Sequence, residues 1–426
     1  MTEKTPCAAG RPSPSLQAAG HDTYPVTGNV KELQSIIDAS RVMEQRGTQA
    51  ALATVVNVTG SAYRRPGARM LIAADGQTVG SVSGGCLERD VLNQARRVLQ
   101  RNKPRVVTYD SMSDDDVVWE FHLGCNGIVD ILIEPLPHNE PRGLLPFLAD
   151  CLDRRHIGIV ATVFGVEGPM KAAIGNRLML SGRQPAIHDI GDEALADAIL
   201  GDARRACASG TTQVQLYEMS AGRAEVFIEV IQPPVPLVIF GAGHDAVPLV
   251  RFAKELGWHV TVVDPRPGYA TRQKFPLADT LVLCRPEEVH EHIEIERGTV
   301  AVVMTHHYLH DADLLRMLLP SPLRYLGLLG SKRRTERLLH EAREAGVLLS
   351  TSNLNLVYGP IGLDIGADTP EEIALAVVAE IQAVLTGRLG GMLRIREGPL
   401  HEQNPAVDVV ALSERIQGAM SCGQTY

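Results

Sequence analysis

The sequence predicts an α/β protein in which a duplicated α+β domain precedes a doubly wound parallel sheet. Three observations support this prediction: a repeat within the first half, a glycine motif between a strand and a helix in the second half, and alternating strands and helices after that motif. A chain of 426 residues is long enough for two or three domains. With 45% apolar and 21% charged residues, the composition is that of an ordinary globular protein.

The bulk composition also excludes several classes of protein. A net charge of -9 argues against a nucleic-acid partner, which would need a clustered basic surface. No stretch of about 18 apolar residues is present, so we expect no membrane span. Residues 1–28 are rich in Pro, Ser, Gly and Ala and predict a disordered leader. The 7 cysteines are odd in number and scattered, which predicts a reducing cytoplasm and no disulfide framework.

The first half contains two copies of one unit. A shift of 108 positions places Ala53 over Ala161 and, without a gap, Tyr109 over Tyr217. Each copy reads as a strand, a glycine turn, a second strand, a helix and a closing strand. The predicted ranges are 51–58, 69–73, 87–99 and 127–134 in the first copy, and 159–166, 177–180, 195–208 and 225–230 in the second.

The duplication separates residues that the shared fold needs from residues that serve chemistry. Gly67 and Arg69 recur as Gly175 and Arg177, so we expect these to be structural. The first copy alone carries Arg64-Arg65, the segment Ser83-Gly84-Gly85-Cys86, and an insertion at 111–126 that contains Cys125. These residues are therefore the functional candidates of the first half.

Cys86 directly precedes the predicted helix of the first copy. Two glycines before it allow close approach of a ligand to the backbone, and a helix N-terminus stabilises a thiolate. The alternative is a small buried residue at a tight turn. Cys125 follows a glycine in a turn-like setting, and its confinement to the same copy strengthens both candidates. Neither cysteine belongs to a Cys-x-x-Cys pair, so we predict no zinc site.

Arg64 and Arg65 lie in the turn between two predicted strands. Guanidinium groups in such a turn suit a phosphate or another planar anion. A solvated pair of turn residues is the alternative. Their replacement by Ala172-Ala173 in the second copy favours a function.

The second half opens with a dinucleotide-binding fingerprint. An apolar strand ends in Gly241-Ala242-Gly243-His244-Asp245-Ala246, a helix follows, and a second strand ends in Asp264. In Rossmann domains such glycines approach a pyrophosphate at the helix N-terminus, and the acid binds ribose hydroxyls. The order of these elements predicts a Rossmann-like domain that binds a nucleotide through Gly241, Gly243, His244 and Asp264.

Two further segments follow predicted strands of this domain. Strands at 280–283, 300–304 and 325–329 alternate with helices at 311–319, 332–345 and 370–385. We therefore expect His306, Ser331 and Lys332 at the carboxyl edge of the sheet, where ligands bind. His306, His307 and His310 are irregularly spaced, which does not predict a metal site.

Together these motifs resemble the XdhC/CoxI family, accessory proteins for molybdenum hydroxylases of the xanthine dehydrogenase and carbon monoxide dehydrogenase type. The resemblance runs from about residue 54 to residue 385. It rests on the segments GSAYRRPGARM (60–70), GSVSGGCLE (80–88), LGC (123–125), GAGH (241–244), LGLLGSK (326–332) and GPIGLDIGADTPEE (359–372).

The resemblance implies a chaperone that binds the molybdenum cofactor (molybdopterin), presents it for sulfuration and inserts it into an apo molybdenum hydroxylase. A cysteine desulfurase or another sulfur donor would be a partner, and a homodimer is expected. Cys86 and Cys125 would hold the cofactor or handle sulfur, Arg64 and Arg65 would clamp its anion, and Ser83, Gly84, Gly85 and Glu88 would contact or orient it. The Rossmann edge would hold a phosphate, a nucleotide or NAD(P).

We expect five segments: a leader (1–28), an XdhC/CoxI N-terminal domain (29–138), a degenerate second copy (139–232), a Rossmann-like domain (233–390) and a C-terminal tail (391–426). The second copy lacks the chemical residues and is interpreted as a structural or partner-docking domain. Three alternatives stay open: an NAD(P)-dependent oxidoreductase with His244 or His306 transferring a proton, a sulfurtransferase acting through a persulfide on Cys86, and a pure scaffold.

Overall fold

The computed structural model describes residues 30–60, 62–110, 127–138, 140–182 and 184–395. Within these ranges the chain forms two antiparallel sheets of the same design, followed by one parallel sheet. The mixed α/β architecture with a parallel C-terminal sheet confirms the predicted fold class.

The first copy begins with a helix that the sequence analysis did not predict. Its elements are α1 (Val30–Gln45), β1 (Ala50–Gly60), β2 (Arg69–Ala73), β3 (Thr78–Gly80), α2 (Glu88–Arg101), β4 (Arg105–Asp110) and β5 (Gly127–Pro135). The strands form a sheet in the order β3-β2-β1-β5-β4, in which every neighbouring pair is antiparallel.

The second copy repeats this arrangement element by element. It contains α3 (Leu144–Asp153), β6 (Gly158–Glu167), β7 (Arg177–Ser181), β8 (Ile187–His188), α4 (Glu193–Ser209), β9 (Gln213–Met219) and β10 (Gly222–Ile231). Its sheet has the order β8-β7-β6-β10-β9, which matches the first sheet strand for strand. The matching orders agree with the duplication seen in the sequence.

The two sheets pack face to face, with one helix on the outside of each. Alternate residues of β1 point to opposite faces, so Ala53 packs on Val91 of α2 while Val56 packs with Phe164 and Phe227 of the second sheet. Helix α4 covers the outer face of the second sheet in the same way. The result is a helix–sheet–sheet–helix sandwich whose central interface joins the two copies.

The C-terminal domain is a doubly wound parallel sheet with the strand order β13-β12-β11-β14-β15-β16. Its elements are β11 (Pro236–Phe240), α5 (Ala246–Glu255), β12 (His259–Val263), β13 (Thr280–Val282), α6 (Val289–His292), β14 (Val300–Val303), α7 (Tyr308–Leu318), β15 (Tyr325–Leu328), α8 (Lys332–Glu344), α9 (Thr351–Leu354), β16 (Val357–Tyr358) and α10 (Pro370–Leu385). Helices α5 and α10 cover one face, and α7 and α8 cover the other. Strands β11 and β14 are neighbours, and this pair marks the point where the strand order reverses.

The C-terminal domain docks against the start of α1. Lys31 forms an ion pair with Glu255, and a β-carbon on Gly257 would lie 2.6 Å from the backbone nitrogen of Lys31. Gly257 has φ +76, so both its conformation and this close approach require glycine. A second ion pair joins Arg155 to Glu296 at 3.1 Å.

Candidate functional site

A cavity of about 640 Å³ lies where the turn between β1 and β2 faces the second copy. Helix α1 forms one wall, the turn forms another, and strands β9 and β10 form the third. The lining includes the polar residues Glu32, Asn57, Tyr63, Arg64, Arg65, Arg69, Thr212, Gln213, Glu229 and Gln232. Both copies therefore build the site, although the charged turn comes from the first copy alone.

The two predicted anion-binding arginines both line this cavity, but their surroundings differ. Arg64 forms an ion pair with Glu32 of α1, and the other carboxylate oxygen of Glu32 accepts the backbone N–H of Ser81 at 2.8 Å. Partial burial and the nearby charge of Arg388 lower the pKa of Arg65. An anion bound in the cavity would be attracted by both guanidinium groups.

The duplicated arginines hold the two copies together by reciprocal buried ion pairs. Arg69 of the first copy binds Glu229 of the second, and Arg177 of the second binds Glu134 of the first. The glutamates are equivalent, because Glu134 stands opposite Leu52 in its sheet and Glu229 stands opposite Val160. The prediction that these arginines serve the shared fold agrees with this pairing.

The turn between the first two strands keeps the same backbone hydrogen bond in both copies but has different surroundings. In both copies the turn glycine donates its N–H to a strand carbonyl, Gly67 to Val55 at 2.8 Å and Gly175 to Val163 at 2.9 Å. Gly175 packs against the ring of Pro104, whereas Gly67 faces the Glu229 carboxylate at the cavity. The backbone was retained while the side chains around it diverged.

The loop that carries Cys86 is organised by Glu88, the first residue of α2. One Glu88 carboxylate oxygen accepts the Ser83 N–H and the Ser81 hydroxyl, both at 2.9 Å, and the other accepts the Ser83 hydroxyl. The Ser83 oxygen in turn accepts the N–H groups of Gly85 and Leu87, at 3.2 and 3.0 Å. Partial burial raises the pKa of Glu88, but these hydrogen bonds outweigh it and hold the pKa below its usual value. In this structure Glu88 thus orients the loop.

Cys86 is half-buried and lies two residues before α2 begins. It is separate from the cavity lining, but Tyr63 connects the two places: its ring lines the cavity and lies 3.4 Å from where a β-carbon on Gly84 would be. Gly85, which has φ +110, completes the turn before the cysteine. The predicted residues 64, 65 and 83–88 therefore form one continuous region of the first copy.

The three other described cysteines lie in environments that disfavour a thiolate. Burial raises the pKa of Cys151 to about 12 and that of Cys284 to about 11, with a smaller contribution from a neighbouring carboxylate in each case, and burial also raises the pKa of Cys207. Such environments are typical of structural thiols. Cys125, the second predicted thiol, lies outside the described residues. The nearest described residue after it is Gly127, which stands opposite Gly60 in the sheet.

The predicted nucleotide-binding residues form a second group at the carboxyl edge of the parallel sheet. Gly241 has φ +116, and His244 is exposed in the turn before α5. Ser331 caps α8, where its hydroxyl accepts the Arg334 N–H at 3.4 Å, and Lys332 is the first residue of that helix. His306 bonds through Nε2 to Asp245 at 2.7 Å.

Asp264 and Asp245 have contacts that the sequence analysis did not foresee. Asp264 is buried, and both of its carboxylate oxygens bind groups of this chain: the Ala242 N–H at 2.7 Å and the Arg266 guanidinium at 2.7 and 2.9 Å. Burial opposes its ionisation, but these donors together lower the pKa of Asp264. Asp245 was missed as a site residue, although its place before a helix indicates an N-cap.

The rings of His307 and His310 lie 4.1 Å apart between centres, with their planes tilted by 37°. Among the described residues, no cluster of three or more His, Cys, Asp or Glu side chains could hold a metal ion. The same part of the chain contains no helix long and apolar enough to span a bilayer.

Comparison with known proteins shows which family this chain belongs to. The family described as "XdhC and CoxI family" matches residues 43–110, and the "XdhC Rossmann domain" matches residues 237–381. A relative from Bacillus subtilis, described as a probable subunit of xanthine dehydrogenase, is 37% identical over 339 residues, which cover 78% of this chain and 92% of the relative. The chain belongs to the XdhC/CoxI family.

Two further relatives extend the comparison. The molybdenum cofactor insertion chaperone PaoD of Escherichia coli is 23% identical over 341 residues, which cover 79% of this chain and 84% of PaoD. A crystal structure of a xanthine dehydrogenase from Bacillus halodurans superposes with a TM-score of 0.68 at 30% identity. The superposition covers 85% of this chain and 97% of the Bacillus halodurans chain. The two family models match residues on either side of the second copy, and the superposition extends over most of the chain.

Proposed function

We propose that this XdhC/CoxI protein is a chaperone that carries the molybdenum cofactor, assists its sulfuration and inserts it into an apo hydroxylase of the xanthine dehydrogenase type. The cofactor is cargo in this reaction. The observation that carries the proposal is the cavity beside the Cys86 loop, with the guanidinium groups of Arg64 and Arg65 in its lining. The family and the relatives described above support the same assignment.

The cavity has the size and chemistry that a phosphorylated pterin requires. Its volume of about 640 Å³ lies within the roughly 300–1,000 Å³ of small-ligand sites. The arginines suit a phosphate group, and the exposed ring of Tyr63 offers aromatic surface for a heterocycle. Both guanidinium groups line the cavity, and Arg64 is also paired with Glu32 of α1.

The second copy acts as the opposite wall of the cargo site. The second copy contributes to the lining from β9, β10 and their flanks, through Thr212, Phe227 and Gln232. These residues have no relation to the segments that distinguish the first copy chemically. This placement gives the degenerate copy a role at the site, although it has no counterpart of the Cys86 loop or of the arginine turn. It shapes the site and fixes its position through the Arg69–Glu229 ion pair.

Cys86 is the proposed sulfur-handling group. A thiolate at this position attacks the outer sulfur of a persulfide on a donor protein, such as a cysteine desulfurase, and the donor leaves as its own thiolate. The Glu88 network holds the loop in place, and Gly84 of this loop lies against the Tyr63 ring. Cys125 stays a second candidate for the same role.

Activation of a purified apo hydroxylase tests the insertion function. The wild-type chaperone, loaded with cofactor and supplied with a sulfur donor, should restore hydroxylase activity. Cys86→Ala should deliver cofactor but leave the hydroxylase inactive until sulfide is added chemically, whereas Arg65→Ala should deliver little cofactor at all. Cys207→Ala, a half-buried thiol on the outer helix α4, is the matched control. Full activation by Cys86→Ala would exclude the sulfur-handling role.

A further inference from the structure

In the Rossmann domain, side chains of this chain occupy the positions where a dinucleotide would bind. Dinucleotides place their pyrophosphate at the N-terminus of the first helix and a ribose on the acid that ends the second strand. We infer that this domain does not bind a nicotinamide dinucleotide in that manner, because Asp245 and Asp264 take both positions. The inference is independent of the proposed cargo site in the other domain.

Asp245 occupies the pyrophosphate position. It is the N-cap of α5, and its Oδ1 accepts the Ala246 N–H at 3.1 Å. Its other carboxylate oxygen bonds to Nε2 of His306 at 2.7 Å. With only 13% of its side chain exposed, this carboxylate sits where the helix would attract a phosphate. A pyrophosphate brought to the same place would meet a like charge at short range.

The glycines of the motif make room for this internal arrangement. A β-carbon on Gly243 would collide with the Asp245 carboxylate, so a side chain there would require this carboxylate to leave its present position. A β-carbon on Gly241 would collide with the Met304 carbonyl oxygen, so glycine is required there by the packing of β11 against the end of β14. Both glycines therefore have a structural cause that involves no ligand.

The carboxylate of Asp264 is likewise occupied by hydrogen bonds within the chain. It is 1% exposed, and its two oxygens bind the Ala242 N–H and the Arg266 guanidinium. The Arg266 side chain also lies over the Tyr269 ring, with its central carbon 3.7 Å from the ring centre. A ribose would have to displace Arg266 and reach a carboxylate that lies beneath the surface.

The Asp245–His306 hydrogen bond also spans the crevice at the point where the strand order reverses. Asp245 follows β11 and His306 follows β14, the two neighbouring strands between which a dinucleotide would lie. His306 adopts φ +58, a left-handed conformation that a β-carbon disfavours. Its imidazole is 62% exposed at the position where a bound ligand would cross the sheet edge.

Isothermal titration with NAD⁺, NADP⁺ and ADP-ribose tests this inference on the full chain. We expect no measurable binding by the wild type up to about 1 mM ligand. Asp245→Ala should gain affinity for ADP-ribose by about tenfold or more, since a like charge next to the phosphate is removed. Asp245→Asn, which keeps a capping group and loses the charge, should show a smaller gain.

Asp313→Ala is the matched control, because it removes an equal charge from the exposed face of α7, away from the crevice. Thermal melting of each variant verifies folding. Wild-type binding of any of the three ligands below about 1 mM would overturn the inference. Folded Asp245 variants that gain no affinity would overturn the assignment of Asp245 as the blocking group.

Discussion

Replacing Arg69 by methionine should strongly destabilise the sandwich of the two copies. The change removes the partner of Glu229 but leaves that carboxylate at the interface between the sheets, where only 11% of its side chain is exposed. Removing one partner of a buried ion pair costs about 3–5 kcal/mol, because the other charge stays buried without compensation. For a unit of about 200 residues, each kcal/mol corresponds to roughly 2–4 °C, so the melting temperature should fall by about 6–20 °C.

Differential scanning calorimetry of the variants gives the assay, and three comparisons make it specific. Arg69→Met combined with Glu229→Leu should recover most of the loss, since two apolar groups can replace a buried pair at little cost. Arg177→Met, which breaks the reciprocal pair with Glu134, should behave like Arg69→Met.

Arg223→Ala is the control for this series. It breaks an exposed pair with Glu167 and should leave the melting temperature almost unchanged. A melting temperature of Arg69→Met within about 2 °C of the wild type would refute the reasoning, because an exposed pair gives that result. No recovery in the double variant would show that the loss comes from packing.

Three further predictions concern the site. Gly67→Ala should destabilise the protein more than Gly175→Ala, as measured by denaturant unfolding. Both glycines have positive φ, but the new methyl group would lie 2.7 Å from the Glu229 carboxylate in the first variant and 3.2 Å from Pro104 in the second. Iodoacetamide at pH 8 should label Cys86 much faster than Cys151, whose burial raises its pKa to about 12, and mass spectrometry would map the label. Glu88→Gln should lower stability by about 1–3 kcal/mol near neutral pH, because hydrogen bonds to a charged group are lost. Since the folded-state pKa of Glu88 is lowered, this difference should be complete above the unfolded pKa of about 4.3 and should vanish as the pH falls through the folded pKa.

Each of these has an outcome that contradicts it. Equal losses in the two glycine variants would mean that the Glu229 carboxylate moves aside without cost. Equal labelling of the two cysteines would show that the Cys86 loop is closed to reagents. A stability difference for Glu88→Gln that does not change between pH 7 and pH 3 would show that the charge of the carboxylate contributes nothing.

Much of the fold followed from patterns that are local in the sequence. The repeat predicted two matching sheets, and the Gly-x-Gly segment between β11 and α5 predicted the parallel domain. Helix α1 was not predicted. Its buried residues Ile36, Ile37 and Met43 nevertheless have helical spacing, which is a signal for a helix in this segment. Helix α3 carries apolar residues on most of its surface and begins with a proline in its first turn, so its periodicity is weak.

The site was only partly predictable, because its decisive contacts join distant parts of the chain. The duplication distinguished Arg69, which recurs in the second copy and pairs with Glu229, from the arginine turn at 64–65, which the second copy lacks. It could not show that Glu229 would meet Arg69, since the two are 160 positions apart. The Asp245–His306 contact likewise depends on β14 lying beside β11, which only the assembled sheet reveals.

The molybdenum and pterin content of the protein, purified without oxygen from cofactor-producing cells, tests the central claim most directly. The wild type should carry close to one pterin per chain, and Arg65→Ala should carry much less while melting at the wild-type temperature. Arg333→Ala, a change of equal charge on the exposed start of α8, should keep the wild-type content. A wild-type protein without pterin under these conditions, or an Arg65 variant with full content, would contradict the assignment of the cavity as the cofactor site.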